Sequence, residues 1–582
     1  MKSKSFLAYI GEASVPLLFF SILLRFIIGI LPLFYIFIYA RFIDAVIALE
    51  SNVISLIIPF VGFGLLNYFL RAIYTYIQRK LNLKVLFVLR QKVLDKNSKL
   101  SYDHIENPET YDLIMRVKRG IPNTILQGFF SYLSLIEMAI KVIAITIPII
   151  IFAPITALIV VVCCIPVVLI SLRTGKEDYE AFVAYQKTER RMMYFEDVLT
   201  ERDYAQERVL FSFQDYFLKQ WNDFFTKAAH IFLGVKRKTY TSVKISSLLV
   251  TLSFLVMIFF LTRSVLANEI TLGYFTSISV QLLTISSSIS WMLSSLVHTI
   301  MHSKVYIKDL NAFEVLSEND VNENDRSNEI SEIKKVEFKD VSFAYPGTEK
   351  NVINNLSLVL NPEESTAIVG ANGAGKTTLV KLLLGLYPNY TGEILINDIP
   401  LRQIQNKSKL FSVVFQDFAR YEVSIRDNII FGDASKMNDE QINDLMKSLS
   451  LFNDETRFAN GLDSDIGYLT EKNTNISGGE WQKLILIRSL AHDGFYYILD
   501  EPTASLDPVV ESAVYKDYMH LIKDKNKHSL IITHRLGAAR LADRIVVLDD
   551  GQFVESGSHD ELVSKDGLYK KMYETQKSWY VS

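Results

Sequence analysis

Residues 142–172 form a run of 31 residues without one Asp, Glu, Lys or Arg. A helix crosses a bilayer core of about 30 Å with about 20 apolar residues. The run is therefore too long for one span and too apolar for water. With the mostly apolar stretch from Phe129 it divides into two predicted spans, 129–152 and 154–173, with Pro148 and Pro154 marking the turn. Four more runs follow the same rule: 15–40, interrupted only by Arg25, then 53–76, 244–263 and 270–298. Six spans are predicted. Lys2 and Lys4 precede the first run as in a signal peptide. That run is too long for such a segment and contains Arg25, so a retained span is expected.

Lys and Arg concentrate on the cytoplasmic side of membrane proteins. Residues 76–128 carry ten and residues 172–242 carry twelve, whereas the short connections hold only Arg41 and Arg263. Both long loops and both termini are thus expected in the cytosol. Helical periodicity over 80–100 and 179–221 suggests membrane helices extended into the cytosol, with short turn segments near 102–111 and 200–209. Within the spans, Arg25, Arg71, Glu137 and Lys141 need partners or water. Glu137 and Lys141 are four residues apart and share a helix face. Two readings stay open: a self-neutralised pair with snorkelling side chains, or a polar pathway. Thr284, Ser286, Ser287, Ser288, Ser290, Ser294 and Ser295 make a hydroxyl-rich stripe that a polar pathway and interhelical packing of small residues explain equally well.

Composition narrows the alternatives. Hydrophobic residues make up 49% and charged residues 21%, which excludes a disordered chain. Cys163 and Cys164 are the only cysteines, too few for a disulfide scaffold or zinc finger; they read as small buried apolar residues. The net charge of −3 argues against a nucleic-acid partner. Residues 1–330 hold 33 basic and 28 acidic side chains, whereas 331–582 hold 28 and 36. Two unlike parts are expected, joined by a polar linker at 317–334.

The second part opens on an alternating strand, 336–343. A buried strand, 366–369, then runs into Gly370, Ala371, Asn372, Gly373, Ala374, Gly375, Lys376 and Thr377, followed by Thr378 and an apolar helix. This is G-x-x-x-x-G-K-[ST] in its strand–loop–helix setting. Its backbone N–H groups cradle phosphates, Lys376 is expected on the β- and γ-phosphates, and Thr377 on Mg²⁺. A second strand, 495–499, ends in Asp500 and Glu501. An acid at that tip suits Mg²⁺, and the next suits polarising the attacking water.

Asn475-Ile476-Ser477-Gly478-Gly479-Glu480 resembles the signature of ATP-binding cassette (ABC) transporters and lies 20 residues before Asp500. The resemblance implies further site residues. Tyr345 would stack on adenine, Gln416 would sense Mg²⁺ and the lytic water, and His534 would contact the γ-phosphate. Ser505-Leu506-Asp507 would be the D-loop. ATP and Mg²⁺ are the implied cofactors, with Thr378, Ser477, Gly478, Gly479 and Glu480 among the nucleotide-binding positions and Thr377, Gln416 and Asp500 holding the metal. The implied architecture is an all-α six-helix exporter-type transmembrane domain (1–316), followed by an α/β P-loop (RecA-like) nucleotide-binding domain with a helical subdomain (335–582). The two loop turns become coupling helices.

Ile476 replaces the signature's usual leucine with another apolar residue. Glu480 replaces the usual glutamine and brings a negative charge near a partner's nucleotide. The segment 467–473 lacks the glycine-centred form of the exporter X-loop, and Glu471 is expected to communicate with the coupling helices. One phosphate loop and one signature per chain imply a dimer of half-transporters, with a homodimer favoured by intact Glu501 and His534 and a heterodimer as the alternative. Trp481 after the signature, 415–418 and 200–203 resemble a bacterial subgroup exporting lantibiotics and other peptides. The expected function is ATP-driven export of a peptide from the bacterial plasma membrane. The alternatives are a multidrug or lipid exporter or flippase acting on an amphipathic small molecule, and an ATP-gated channel. About 14 residues precede the first span, so a separate enzyme is expected to cut any leader peptide.

Overall fold

The computed structural model describes residues 4–51, 53–120, 123–152, 191–318, 329–361, 363–431, 433, 437–452, 457–469, 473–501 and 508–578, with scattered positions between 162 and 189. The chain divides into two compact units. One comprises Met1–Lys99 and Glu109–Ser317; the other comprises Leu100–Pro108 and Glu318–Ser582. The expected span at 154–173, both cysteines, the 505–507 segment and Glu471 fall wholly or mainly outside the described residues.

The first unit is helical because a lipid-exposed backbone must satisfy its own hydrogen bonds. It contains α1 (Phe6–Ile47), α2 (Val53–Lys99), α4 (Pro108–Arg119) and α5 (Asn123–Phe152), then the helices Ala205–Phe211, Gln214–Leu266 and Leu272–Val315. By length and composition, three helices suffice to cross a membrane among the described residues: Phe6–Ile47, Val53–Lys99 and Thr124–Ile150. The span expected at 244–263 lies inside Gln214–Leu266, and the one expected at 270–298 lies inside Leu272–Val315 except for its first two residues. At 1.5 Å per residue, α2 is about 70 Å long, far more than a bilayer core of about 30 Å. Phe19, Phe26, Ile54, Ile58, Leu65 and Phe69 are exposed, as lipid-facing side chains are.

Inside, Ile36, Ile145, Ile149, Phe254, Met257, Leu261 and Ile278 pack into one cluster. A small residue permits the tightest approach. A Cβ at Gly273 would lie 2.1 Å from the Ala40 carbonyl oxygen. The Gly273 N–H instead donates to Asp44 Oδ1 at 2.8 Å, and the Thr271 hydroxyl donates to Asp44 Oδ2 at 2.6 Å.

The second unit carries two sheets. Antiparallel strands run in the order β2-β1-β4-β5, with β1 at Val336–Phe343, β2 at Ile353–Leu360, β4 at Thr391–Ile396 and β5 at Ile399–Pro400. The larger sheet has the order β10-β9-β3-β8-β7-β6, built from β3 (Thr366–Val369), β6 (Phe411–Val414), β7 (Tyr496–Asp500), β8 (His528–Ile532), β9 (Arg544–Asp549) and β10 (Gln552–Gly557). From β9 to β6 its strands are parallel. Both faces are covered, so β3 and β7 are buried at every residue. Ala367, Val369, Tyr497, Leu499 and Ile531 face one core, while Ile368, Tyr496, Ile498, Leu530 and Ile532 face the other.

The expected linker, 317–334, ends earlier than its composition suggests. Ile330 and Ile333 are 5% and 7% exposed within the second core, and the Ile330 N–H donates to Asn406 Oδ1 at 3.1 Å. Two apolar residues in a polar stretch were the signal. Tyr102–Glu106, α3, also groups with this unit rather than with the helices on either side of it.

Candidate functional site

The parallel strands bring their carboxyl ends together, where ligands of open α/β sheets bind. β3 leads into the phosphate loop, β6 into Gln416, β7 into Asp500 and Glu501, and β8 into His534. Residues far apart in sequence thus line one edge.

The loop's shape depends on its glycines. Gly373 and Gly375 have φ of +84° and +93°, and a Cβ on Gly370 would lie 2.3 Å from the Leu548 carbonyl oxygen. Gly375 caps the helix Lys376–Leu383. Buried Lys376 folds over its own loop, donating to the Gly370 and Ala371 carbonyls at 3.0 Å each. Burial lowers its pKa below the ordinary lysine value, while Glu501 and Asp500 oppose the shift. Thr377 Oγ1 donates to Asp500 Oδ1 at 3.2 Å. Asp500 Oδ2 is buried without a hydrogen-bond partner among the described residues. Burial is the main reason the Asp500 carboxyl is pushed up to about 6, with Glu501 adding to it against Thr377 and Lys376.

Glu501 stands beyond the strand tip with φ of +47°. Its Oε2 accepts from Gln416 Nε2 at 3.3 Å and lies 2.9 Å from His534 Nδ1. Gln416, Glu501 and His534, expected to cooperate, are therefore one cluster. The Tyr345 hydroxyl lies 2.9 Å from Thr378 Oγ1, and its ring packs edge-on against Phe343 and Tyr387.

Ser477, Gly478, Gly479 and Glu480 begin the helix Gly478–His492. No hydrogen bond or ion pair joins them to the phosphate-loop cluster among the described residues. Glu480 turns inward. Its Oε2 accepts the Ser477 N–H at 2.7 Å, the Ser477 hydroxyl accepts the Glu480 N–H at 3.3 Å, and Oε1 pairs with Arg457. The charge expected to face a partner's nucleotide is already matched inside the domain.

Three residues went unnoticed in the sequence. Glu106 accepts from the Tyr102 hydroxyl at 2.8 Å, from Lys381 Nζ at 3.1 Å and from the Tyr387 hydroxyl. Burial opposes ionisation of Glu106, but these three donors together hold its carboxyl below the ordinary value. Lys381 Nζ also sits 5.8 Å from the centre of the Tyr345 ring. The turn near 102–111 was the only hint; Lys381 and Tyr387 carry no motif.

Residues 353–504 match the model of the ABC transporter domain. The chain is 30% identical over 569 residues to the subtilin transport ATP-binding protein SpaT of Bacillus subtilis, covering 95% of this chain and 91% of the relative. The chain belongs to the ABC transporter family. The nisin transport ATP-binding protein NisT of Lactococcus lactis is 29% identical over 572 residues, covering 96% and 93%. An ATP-dependent lipid A-core flippase of Hahella chejuensis is 35% identical, but over 246 residues, 42% of this chain and 41% of the relative. The structure of a bacterial Atm1-family ABC exporter with ATP bound shares the fold, with a TM-score of 0.77, 19% identity and coverage of 95% and 97%. This transporter is a multi-pass membrane ATPase with an exporter fold, which binds ATP.

Proposed function

We propose that the transporter exports a peptide of the lantibiotic kind across a bacterial plasma membrane. One observation carries the reading. Similarity to the subtilin and nisin transport proteins spans 95% and 96% of the chain, so it includes the helical half that meets the substrate. Similarity to the flippase spans 42%. The lysine- and arginine-rich loops support a cytoplasmic ATPase half.

In the mechanism, the phosphates lie along 370–378, and Lys376 exchanges the Gly370 and Ala371 carbonyls for phosphate oxygens. The Thr377 hydroxyl, Gln416 and Asp500 Oδ2, which has no hydrogen-bond partner among the described residues, are hard oxygen ligands that fit Mg²⁺. When bound, the metal neutralises charge on the transferring phosphoryl group. Gln416 orients the water, Glu501 accepts its proton, and His534, beside the same carboxylate, reaches the γ-phosphate. Tyr345 stacks on the base. Ser477, Gly478 and Gly479 of one chain close over the nucleotide held by its partner, and this closure drives the membrane half between its two states. The Arg457–Glu480 pair neutralises the signature's extra charge within its own chain, which supports a homodimer with two like sites.

ATPase activity of the purified chain alone in proteoliposomes, with and without a lantibiotic precursor peptide, tests both points. The expected result is basal turnover that the peptide stimulates. Stimulation and translocation of a lipid with no response to peptide would overturn the substrate, and no turnover without a second polypeptide would overturn the homodimer.

A further inference from the structure

The helical unit contains a cavity of about 530 Å³, within the size range of ligand pockets. Four charged residues line it: Arg25 on α1, Arg71 on α2, and Glu137 and Lys141 on α5. Glu137 is the only Asp or Glu in all six expected spans, the fourth included. Three cations therefore share one carboxylate, and no other span can supply a second.

That carboxylate is fully used. Glu137 Oε2 pairs with Arg25, and Oε1 lies 2.5 Å from Lys141 Nζ. The Arg25 guanidinium is also held 4.2 Å from the centre of the Tyr74 ring, and its Nε is buried without a hydrogen-bond partner among the described residues. Arg71 is exposed, and its Nε donates to Asn67 Oδ1 at 3.0 Å. Among the described residues it pairs with no carboxylate. The rest of the lining is mixed: Tyr35, Gln281 and Thr284 alternate with apolar groups such as Phe63 and Met138.

A surplus of cations inside a membrane protein is costly and marks a site where an anion or a water-filled path relieves it. We infer that this cavity binds an acidic side chain or terminal carboxylate of the exported peptide, with Arg71 as its main partner. Glu137 holds Arg25 and Lys141 in place and keeps the surplus small enough for the carboxylate to be released. The volume suits one acidic residue and its neighbours rather than a whole peptide. The assignment rests on the peptide-export reading for the bearer of the anion.

The test uses the full-length transporter in proteoliposomes and two synthetic amphipathic peptides, one with two aspartates and the other with asparagines in their place. Wild-type protein is expected to respond to the acidic peptide at about tenfold lower concentration, the scale of a charge-assisted hydrogen bond. Arg71→Gln should erase that preference, and Arg71→Lys should restore most of it. Equal response of wild-type protein to both peptides overturns the cavity's assignment while leaving peptide export intact. So does an Arg71→Gln variant that keeps the preference. Failure of both peptides, with stimulation by anionic over zwitterionic lipid, overturns the export reading and this inference with it.

Discussion

Glu480 replaces the glutamine of the family signature, and Arg457 is the residue that neutralises it. Arg457→Met keeps an unbranched side chain against Phe452 and Phe458, whose ring centres lie 5.4 and 4.8 Å from the guanidinium. Glu480 keeps its hydrogen bond from the Ser477 N–H, so the carboxylate stays in place and only its charge is uncovered. In the proposed sandwich, taking a separation of about 6 Å between the uncovered charge and a partner's phosphate, the repulsion is roughly 1.4 kcal/mol at an effective dielectric constant of about 40. KM for ATP should then rise about tenfold. The pair is partly exposed, 35% at Arg457 and 22% at Glu480, so its loss costs only about 0.5–1 kcal/mol of stability. Glu480→Gln on the Arg457→Met background removes the charge while glutamine still completes the capping box. It should bring KM back to within about twofold of wild type. Steady-state ATPase measurements on the two single variants and the double variant in lipid read the cycle. An unchanged KM in Arg457→Met, or a tenfold lower KM in Glu480→Gln alone, would refute the neutralisation.

Other expectations follow from the same geometry. Glu501→Gln should lower ATP turnover by about 10²–10⁴-fold while still binding ATP, as read by turnover beside nucleotide trapping; near-normal turnover would remove Glu501 as the base. Gly370→Ala drives a Cβ against the Leu548 carbonyl and should cost about 1–3 kcal/mol. Gly537→Ala, which meets nothing within 4 Å, should leave Tm unchanged, and equal Tm shifts would contradict the packing. Glu106 has a carboxyl held below its ordinary 4.5, so its contact is at full strength above that pH and is lost as pH falls through the lowered value. Glu106→Gln should remove the contact at every pH, seen as faster hydrogen exchange over 102–106 after correction for intrinsic rates.

Reading the chain from its residues worked best where function is local. The phosphate loop is eight consecutive residues whose glycines and lysine have one backbone solution. The Glu501 and signature motifs are equally contiguous. The linker was harder, because Ile330 and Ile333 sit in a polar stretch and only the core they enter makes them structural. Glu106 was harder still. It is an ordinary surface acid until Tyr387, 281 residues away, and Lys381 donate to it.

The sequence alone set the expectation of six spans, since lipid sets a length of about 20 apolar residues, and determined that a triphosphate is bound, since a strand, a glycine loop and a helix N-terminus suffice. Tertiary structure alone decided where the charges go. Glu137 and Lys141, one helical turn apart, could equally neutralise each other or line a polar path. Arg25, 112 residues away, takes the same carboxylate and leaves a surplus of cations in the cavity. Sequence spacing predicts neighbours along one helix, whereas the partner arriving from another helix is set by how the helices pack.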